Sequence, residues 1–216
     1  MTRPAAIILC GGRSRRMGRS KALLPFGPEQ MLQRVVRLAS GAAGPVVVVA
    51  APDQELPDLP PEVTIVRDPV ADRGPLQGLA AGLGALPGSV ELAYASATDV
   101  PFLDPAWIAR LVELIGGDDL AIPEVGGHLH PLSALYRRAT VLPAVEALLR
   151  ADRLRPVFLL ETLRARVLDA RAMGGEEAAA SILRNLNTLE DYRGALAEAG
   201  FDPGLPGRLI WGGPSD

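Results

Sequence analysis

Short runs of uninterrupted apolar residues alternate along the chain with longer stretches in which apolar side chains recur every three or four positions. The first run, Ala5-Ala6-Ile7-Ile8-Leu9-Cys10, contains no polar position, which is the pattern of a central parallel strand buried on both faces. From Glu29 to Ser40, residues Met31, Leu32, Val35, Val36 and Leu38 share one broad face between Gln and Arg, and the spacing predicts a helix. The run Val46 to Ala50 predicts a second strand, rich in β-branched residues. Strands at Val63–Val66 and Leu92–Ser96 follow. Helices are expected at Leu76–Leu86, after Gly74-Pro75, and at Pro105–Ile115, with Asp104 as N-cap. Repeated β-α units of this length predict an α/β fold with a doubly wound, mostly parallel sheet.

From Asp119 the pattern changes. A short run Leu120-Ala121-Ile122, a turn at Gly126-Gly127-His128 and a second run from Leu132 to Tyr136 predict a small β-hairpin addition over one edge of the sheet. Helices are expected at Ala139–Leu149 and Pro156–Leu163, a strand at Arg166–Asp169, and a last helix from Leu189 to Ala199. Thr188 is its N-cap and Asp191 stands at the third helical position, a capping box with Asp in place of Glu. Without repeats or a low-complexity linker, residues 1–200 read as a single domain with an irregular tail over 201–216.

Composition narrows the function classes. The chain has 216 residues, 48% of them hydrophobic, enough to bury a core without disulfides, and its single cysteine, Cys10, has no partner within the chain. Nothing requires an oxidising compartment, and Ala5–Cys10 is far too short to span a membrane and lacks the charged start and cleavage site of a signal peptide, so the expected location is cytoplasmic, with no membrane partner. With 22 Lys+Arg against 25 Asp+Glu, general nucleic-acid binding is not expected, and a polyanionic ligand requires a local basic cluster.

That cluster lies directly after the first strand, in Gly11-Gly12-Arg13-Ser14-Arg15-Arg16-Met17-Gly18-Arg19-Ser20-Lys21, which has four arginines, one lysine and no acid. Glycines allow close approach of the backbone to a ligand, and the cations supply the charge a triphosphate demands. The carboxyl end of a central strand is also where open α/β sheets bind their ligands. The order Gly18-Arg19-Ser20-Lys21 is not that of a Walker A loop, and Gly11, Gly12 and Gly18 lack dinucleotide-fingerprint spacing.

Written as L-x-G-G-x-S-x-R-M-G-x-x-K-x-L-L, the segment from Leu9 to Leu24 closely resembles the signature loop of the molybdenum cofactor guanylyltransferase family. Four further segments resemble that family in the same order. They are Val66-Arg67-Asp68-Pro69 with Gly74-Pro75-Leu76-Gln77-Gly78, then Thr98-Asp99-Val100-Pro101, His130-Pro131-Leu132, and Asn185-Leu186-Asn187-Thr188. The resemblance, spanning about residues 5 to 195, implies a Rossmann-like nucleotidyltransferase that joins GMP from GTP to the terminal phosphate of molybdopterin. Residues up to about 115 would form the nucleotide half and 116–200 the acceptor half. Leu9, Cys10 and Gly11 are then expected against base and ribose, Gly12 and Arg16 near the phosphates, Lys21 on the phosphates, and Asp99 on Mg²⁺. Lys21, Arg16 and Asp99 would carry the chemistry; molybdopterin-delivering proteins and molybdoenzymes are candidate protein partners.

Each residue also has a plainer reading. Asp99 could cap a turn, and Asp68, expected to bind the nucleotide at ribose or base or to reach the metal through water, could simply shape the turn before Pro69. His128 and His130 suit a loop residue and a packing or substrate-facing residue better than a metal pair, and Cys10 suits a small buried side chain better than a nucleophile. Asn185 and Asn187 could line the acceptor side or cap the final helix. The sequence departs from the family at Cys10, where Ala is usual, at Leu189, where Pro is usual, and at Val49-Ala50-Ala51, which lacks the Asn that ends the second strand in guanylyltransferases. Gly11-Gly12 nevertheless matches the guanylyl members. Cytidylyl transfer to molybdopterin, nucleotidyl transfer to a sugar phosphate, and a non-catalytic nucleotide-binding carrier are the alternatives.

Overall fold

The computed structural model describes residues 3–11, 20–68, 70 and 73–204. In chain order the first half holds β1 (Ala5–Leu9), a 3-10 turn (Lys21–Leu23), the two-residue strands β2 (Pro25–Phe26) and β3 (Glu29–Gln30), α1 (Met31–Ser40), β4 (Val46–Ala50), β5 (Thr64–Arg67), α2 (Pro75–Ala85), β6 (Leu92–Ala97) and α3 (Pro105–Leu114). The second half holds β7 (Leu120–Val125), β8 (His128–Leu129), β9 (Ser133–Arg137), α4 (Arg138–Arg150), a 3-10 segment (Pro156–Glu161), β10 (Ala165–Asp169), α5 (Glu176–Ile182) and α6 (Leu189–Glu198).

The main sheet runs β10-β7-β9-β6-β1-β4-β5, with β8 paired to β7. Pairs β1–β4, β1–β6, β4–β5 and β7–β10 are parallel, while β9 is antiparallel to both β6 and β7. The fully buried runs of β1 and β4 occupy interior positions, as their apolar pattern requires. Alternate residues serve opposite faces: Ala6 and Ile8 join a core built on α1, α3 and α5, and Ala5, Ile7 and Leu9 join one built on α2 and α4. A third, smaller core is formed by Leu24, Phe26 and Met31 with Leu186, Tyr192, Ala195 and Leu196, and it docks α6 beside β2–β3. Helix α2 lies unusually close to β1, since a Cβ on Gly82 would stand 2.3 Å from Ile7 Cγ2. No helix among the described residues is long and apolar enough to cross a membrane.

The doubly wound, mostly parallel sheet is as expected, and several details differ from the sequence reading. The hairpin is present as β7–β8, whose two-residue turn uses Gly126 (φ 59°) and Gly127 (φ 74°), the left-handed pair a tight hairpin prefers. Strands β7 and β9, however, are not laid over an edge; β9 fills the interior position between β6 and β7. Glu29 and Gln30 pair with Phe26 and Pro25, so α1 begins at Met31. The expected helix from Pro156 is a 3-10 segment, whose three-residue repeat turns Pro156 and Leu159 together toward the core. Helix α5 was not anticipated. Phe201, expected to open the irregular tail, packs edge-on against Phe26 with ring centroids 5.6 Å apart, and Trp211 lies outside the described residues.

Candidate active site

Parallel pairing brings the carboxyl ends of four strands to one edge, because Leu9 sits opposite both Val49 and Ala97, and Ala50 opposite Arg67. Cys10, Ala51, Asp68 and Thr98-Asp99 therefore leave the sheet side by side. The buried Thr98 hydroxyl donates to the Leu9 carbonyl at 3.0 Å, tying β6 to β1 one residue before Asp99. The 3-10 turn after the basic loop carries Lys21 to the same place. Its Nζ donates to Asp99 Oδ2 at 2.6 Å and to Asn187 Oδ1 at 3.0 Å. The Lys21 and Asp99 side chains are only 21% and 14% exposed, so this charge-assisted bond is partly shielded from water. The Leu186 N–H donates to the Asp99 carbonyl at 3.1 Å, which fastens the 185–188 segment to the same turn.

Asn187 is set by the cap of α6. The Asp191 carboxylate accepts from the backbone N–H groups of Asn187 at 3.0 Å and Thr188 at 2.8 Å, and the Thr188 hydroxyl accepts from the Asp191 N–H at 3.0 Å. Burial opposes the Asp191 charge, but those N–H groups, the Thr188 hydroxyl and the Lys21 cation together hold its pKa below the ordinary value. Asn187 thus belongs to the cap, and its side chain reaches Lys21.

On the β4 side, Cys10 donates its thiol to the Val49 carbonyl at 3.3 Å. Burial pushes the Cys10 pKa up to about 12, which leaves it un-ionised at neutral pH and unsuited to nucleophilic chemistry. A Cβ on Gly11 would lie 3.3 Å from the Ala51 nitrogen, so glycine lets the exits of β1 and β4 run close together. Sequence reasoning overlooked Gln54. Its Nε2 donates to the Cys10 carbonyl at 2.8 Å and to Ser20 Oγ at 2.9 Å, and its Oε1 accepts from the Ala51 N–H at 3.1 Å. Arg67 in turn donates to the carbonyls of Ala51 and Gln54 at 3.0 and 2.7 Å.

Leu9 ends β1 with its side chain buried on the α2 face. Asp68 continues β5, its N–H on the Ala50 carbonyl at 2.8 Å and its Oδ1 accepting from the Val70 N–H at 3.0 Å, so one carboxylate oxygen serves its own turn. His128 is exposed with Nδ1 2.8 Å from the Gly126 carbonyl. His130 leads into β9 near the end of β6; burial lowers its pKa, and its buried Nε2 meets no hydrogen-bond partner. Among the described residues no group of three or more His, Cys, Asp or Glu side chains could hold a metal ion. Gly12, Arg13, Arg15, Arg16 and Arg19 lie outside the described residues.

Residues 6–189 match the MobA-like NTP transferase domain. The chain belongs to this family. The match runs from within β1 to Leu189, the first residue of α6, and includes Lys21, Gln54, Asp68, Asp99 and Asn187. A probable molybdenum cofactor guanylyltransferase of Pelotomaculum thermopropionicum is 33% identical to this MobA-like chain over 195 residues, 88% of the chain and 91% of that protein. The fold is also that of molybdopterin-guanine dinucleotide biosynthesis protein A from Archaeoglobus fulgidus, with a TM-score of 0.74 and 19% identity over 91% of this chain and 98% of the other. It is shared as well with 2-C-methyl-D-erythritol 4-phosphate cytidylyltransferase from Thermus thermophilus, TM-score 0.69, at 17% identity over 92% of this chain and 100% of the other. Proteins named for different nucleotides thus share the fold.

Proposed function

We propose that the chain transfers GMP from GTP to the terminal phosphate of molybdopterin. An oxygen of that phosphate attacks the α-phosphorus, a new P–O bond forms, and the bond from the α-phosphorus to the bridging oxygen breaks to release pyrophosphate. The observation that carries the reading is the shielded Lys21–Asp99 pair held by Asn187 at the carboxyl edge of the sheet. It sets one cation and one carboxylate where the basic loop rejoins the fold. Among the described residues, Lys21 commits two of its three N–H donors to Asp99 and Asn187, which leaves a donor for a phosphate oxygen.

A single carboxylate suits Mg²⁺, which takes one or two protein carboxylates and completes its octahedron with water and phosphate oxygens, whereas a cage built from protein alone would need the cluster that is absent among the described residues. Asp99 would hold the ion. When bound, Mg²⁺ offsets charge on the phosphates. Lys21 binds the same phosphates, Arg16 adds charge from the loop, and the chain's main contribution is to hold both substrates in line, since transfer at phosphorus gains most from positioning and charge neutralisation. Leu9, Cys10, Gly11 and Gly12 would line the nucleoside and phosphate path, with Asp68 beside them.

An intact Lys21–Asp99 pair speaks for chemistry over a passive carrier. Ala50 and Ala51, standing where an amide side chain is usual in guanylyltransferases, make CTP the second reading. The test is pyrophosphate release by the purified protein with molybdopterin and Mg²⁺, comparing GTP, CTP and ATP, with a pterin-free control and a panel of sugar phosphates. Pterin-dependent turnover with GTP is the expected result. Turnover with CTP alone would move the base assignment, and turnover only with a sugar phosphate would replace the acceptor.

A further inference from the structure

We infer that Gln54 is a positioning residue of the nucleotide site, joining the end of β1 to Ser20 and so fixing where Lys21 enters the sheet edge. The inference rests on the reading of Lys21 as the phosphate-binding cation. Gln54 stands 44 positions from Cys10 and 34 from Ser20, yet one amide nitrogen holds both, at 2.8 and 2.9 Å. Its Oε1 is engaged by the Ala51 N–H at 3.1 Å. The backbone behind it is equally constrained: the Gln54 N–H donates to the Ala51 carbonyl at 3.2 Å, and Arg67 holds the Gln54 carbonyl at 2.7 Å. The side chain is therefore a strut anchored at both ends, running from the exit of β4 across the two places where the basic segment leaves and rejoins the fold.

Ser20 precedes Lys21 directly, and its carbonyl accepts the Leu23 N–H at 3.1 Å that closes the 3-10 turn. Restraining Ser20 against Cys10 restrains that turn, and with it the Lys21 amine on Asp99 and Asn187. Both amide donors are committed within the protein, so Gln54 has none to offer a base edge. Its contribution falls equally on GTP and CTP, which distinguishes a strut from a base-reading residue.

The experiment uses the full chain with Gln54→Leu, Gln54→Glu and Ser20→Ala. The first measurement needs no substrate: hydrogen exchange at the Leu23 and Leu24 amides is expected to accelerate in Gln54→Leu while the melting temperature stays within a few degrees of wild type. Unchanged exchange would overturn the strut. The second is steady-state kinetics, where KM for GTP and for CTP should rise by the same factor, about tenfold for the loss of the hydrogen bonds that hold Cys10 and Ser20, with kcat within about threefold. A changed GTP-to-CTP ratio would make Gln54 a base reader, and unchanged KM values would remove it from the site. Gln54→Glu keeps the chain length without the donors and should follow Gln54→Leu; wild-type behaviour would overturn the assignment. If Gln54→Leu does not fold, Ser20→Ala removes one acceptor alone and should give a smaller effect of the same kind. Should wild type turn over no nucleotide, the proposed activity fails while the exchange measurement still decides the strut.

Discussion

The carboxyl ends of β5 and β6 offer the same kind of residue in the same kind of place, an aspartate just beyond a parallel strand, and put it to different use. Asp99, after β6, meets a cation carried in from a distant part of the chain, in a spot where its side chain is 14% exposed. Asp68, after β5, turns one oxygen back to the N–H of Val70, two residues on. A carboxylate engaged with its own turn stabilises that turn. One engaged with a cation from another element can exchange that partner for a ligand that also carries charge. Location at the strand ends makes both residues candidates, and the sequence distance of the partner separates them.

That contrast can be broken by substitution. Asp99→Asn should cause the largest loss, about a thousandfold in turnover with melting behaviour close to wild type, as expected for removing a central charge from a phosphoryl-type transfer site. Lys21→Ala should lower turnover about a hundredfold, and near-normal rates in either variant would remove the pair from the mechanism. Asn187→Ala should cost about tenfold in kcat, the scale of one hydrogen bond that orients a charged group. Asp68→Asn, which keeps an oxygen for Val70, should stay within about threefold, mostly in KM; a loss matching that of Asp99→Asn would erase the distinction. The smallest effect concerns pH. Burial lowers the His130 pKa below its ordinary 6.5, so the unfolded chain takes up the proton first as pH falls. Stability from this residue is complete above about pH 6.5 and declines below it toward the folded-state pKa. Thermal melts of His130→Gln across pH 5 to 8 should show a flatter dependence than wild type.

The central strands were legible because β1 and β4 are buried on both faces and admit only apolar residues. The cap of α6 was legible because Thr188 and Asp191 act within one turn. Helix α5 carries only a short local signal, a glycine followed by Glu176-Glu177 and three alanines, which favours a helix start and its propagation. Strands β2 and β3, two residues each, are too short for any periodicity. The position of β9 was not legible, since alternation of apolar residues fixes which face a strand buries and not which neighbour it takes. The site divides the same way. Lys21 and Asp99 stand in recognisable local strings, whereas Gln54 follows Pro52-Asp53 in a polar loop, and its importance comes entirely from partners more than thirty positions away.

The interior place of β9 also bears on how the chain is assembled. In a chain emerging from the ribosome, β5, β4, β1 and β6 are all complete by residue 97, but the side of β6 that β9 will cover has no partner until residues 133–137 have been made. For the time needed to synthesise that interval, the side of β6 that pairs with β9 presents a row of unpaired N–H and C=O groups. The β7–β8 segment, made in that interval, does not close the gap, because its own place in the sheet lies one strand further out. The last piece needed to seal the centre of this molecule is thus made well after the centre itself.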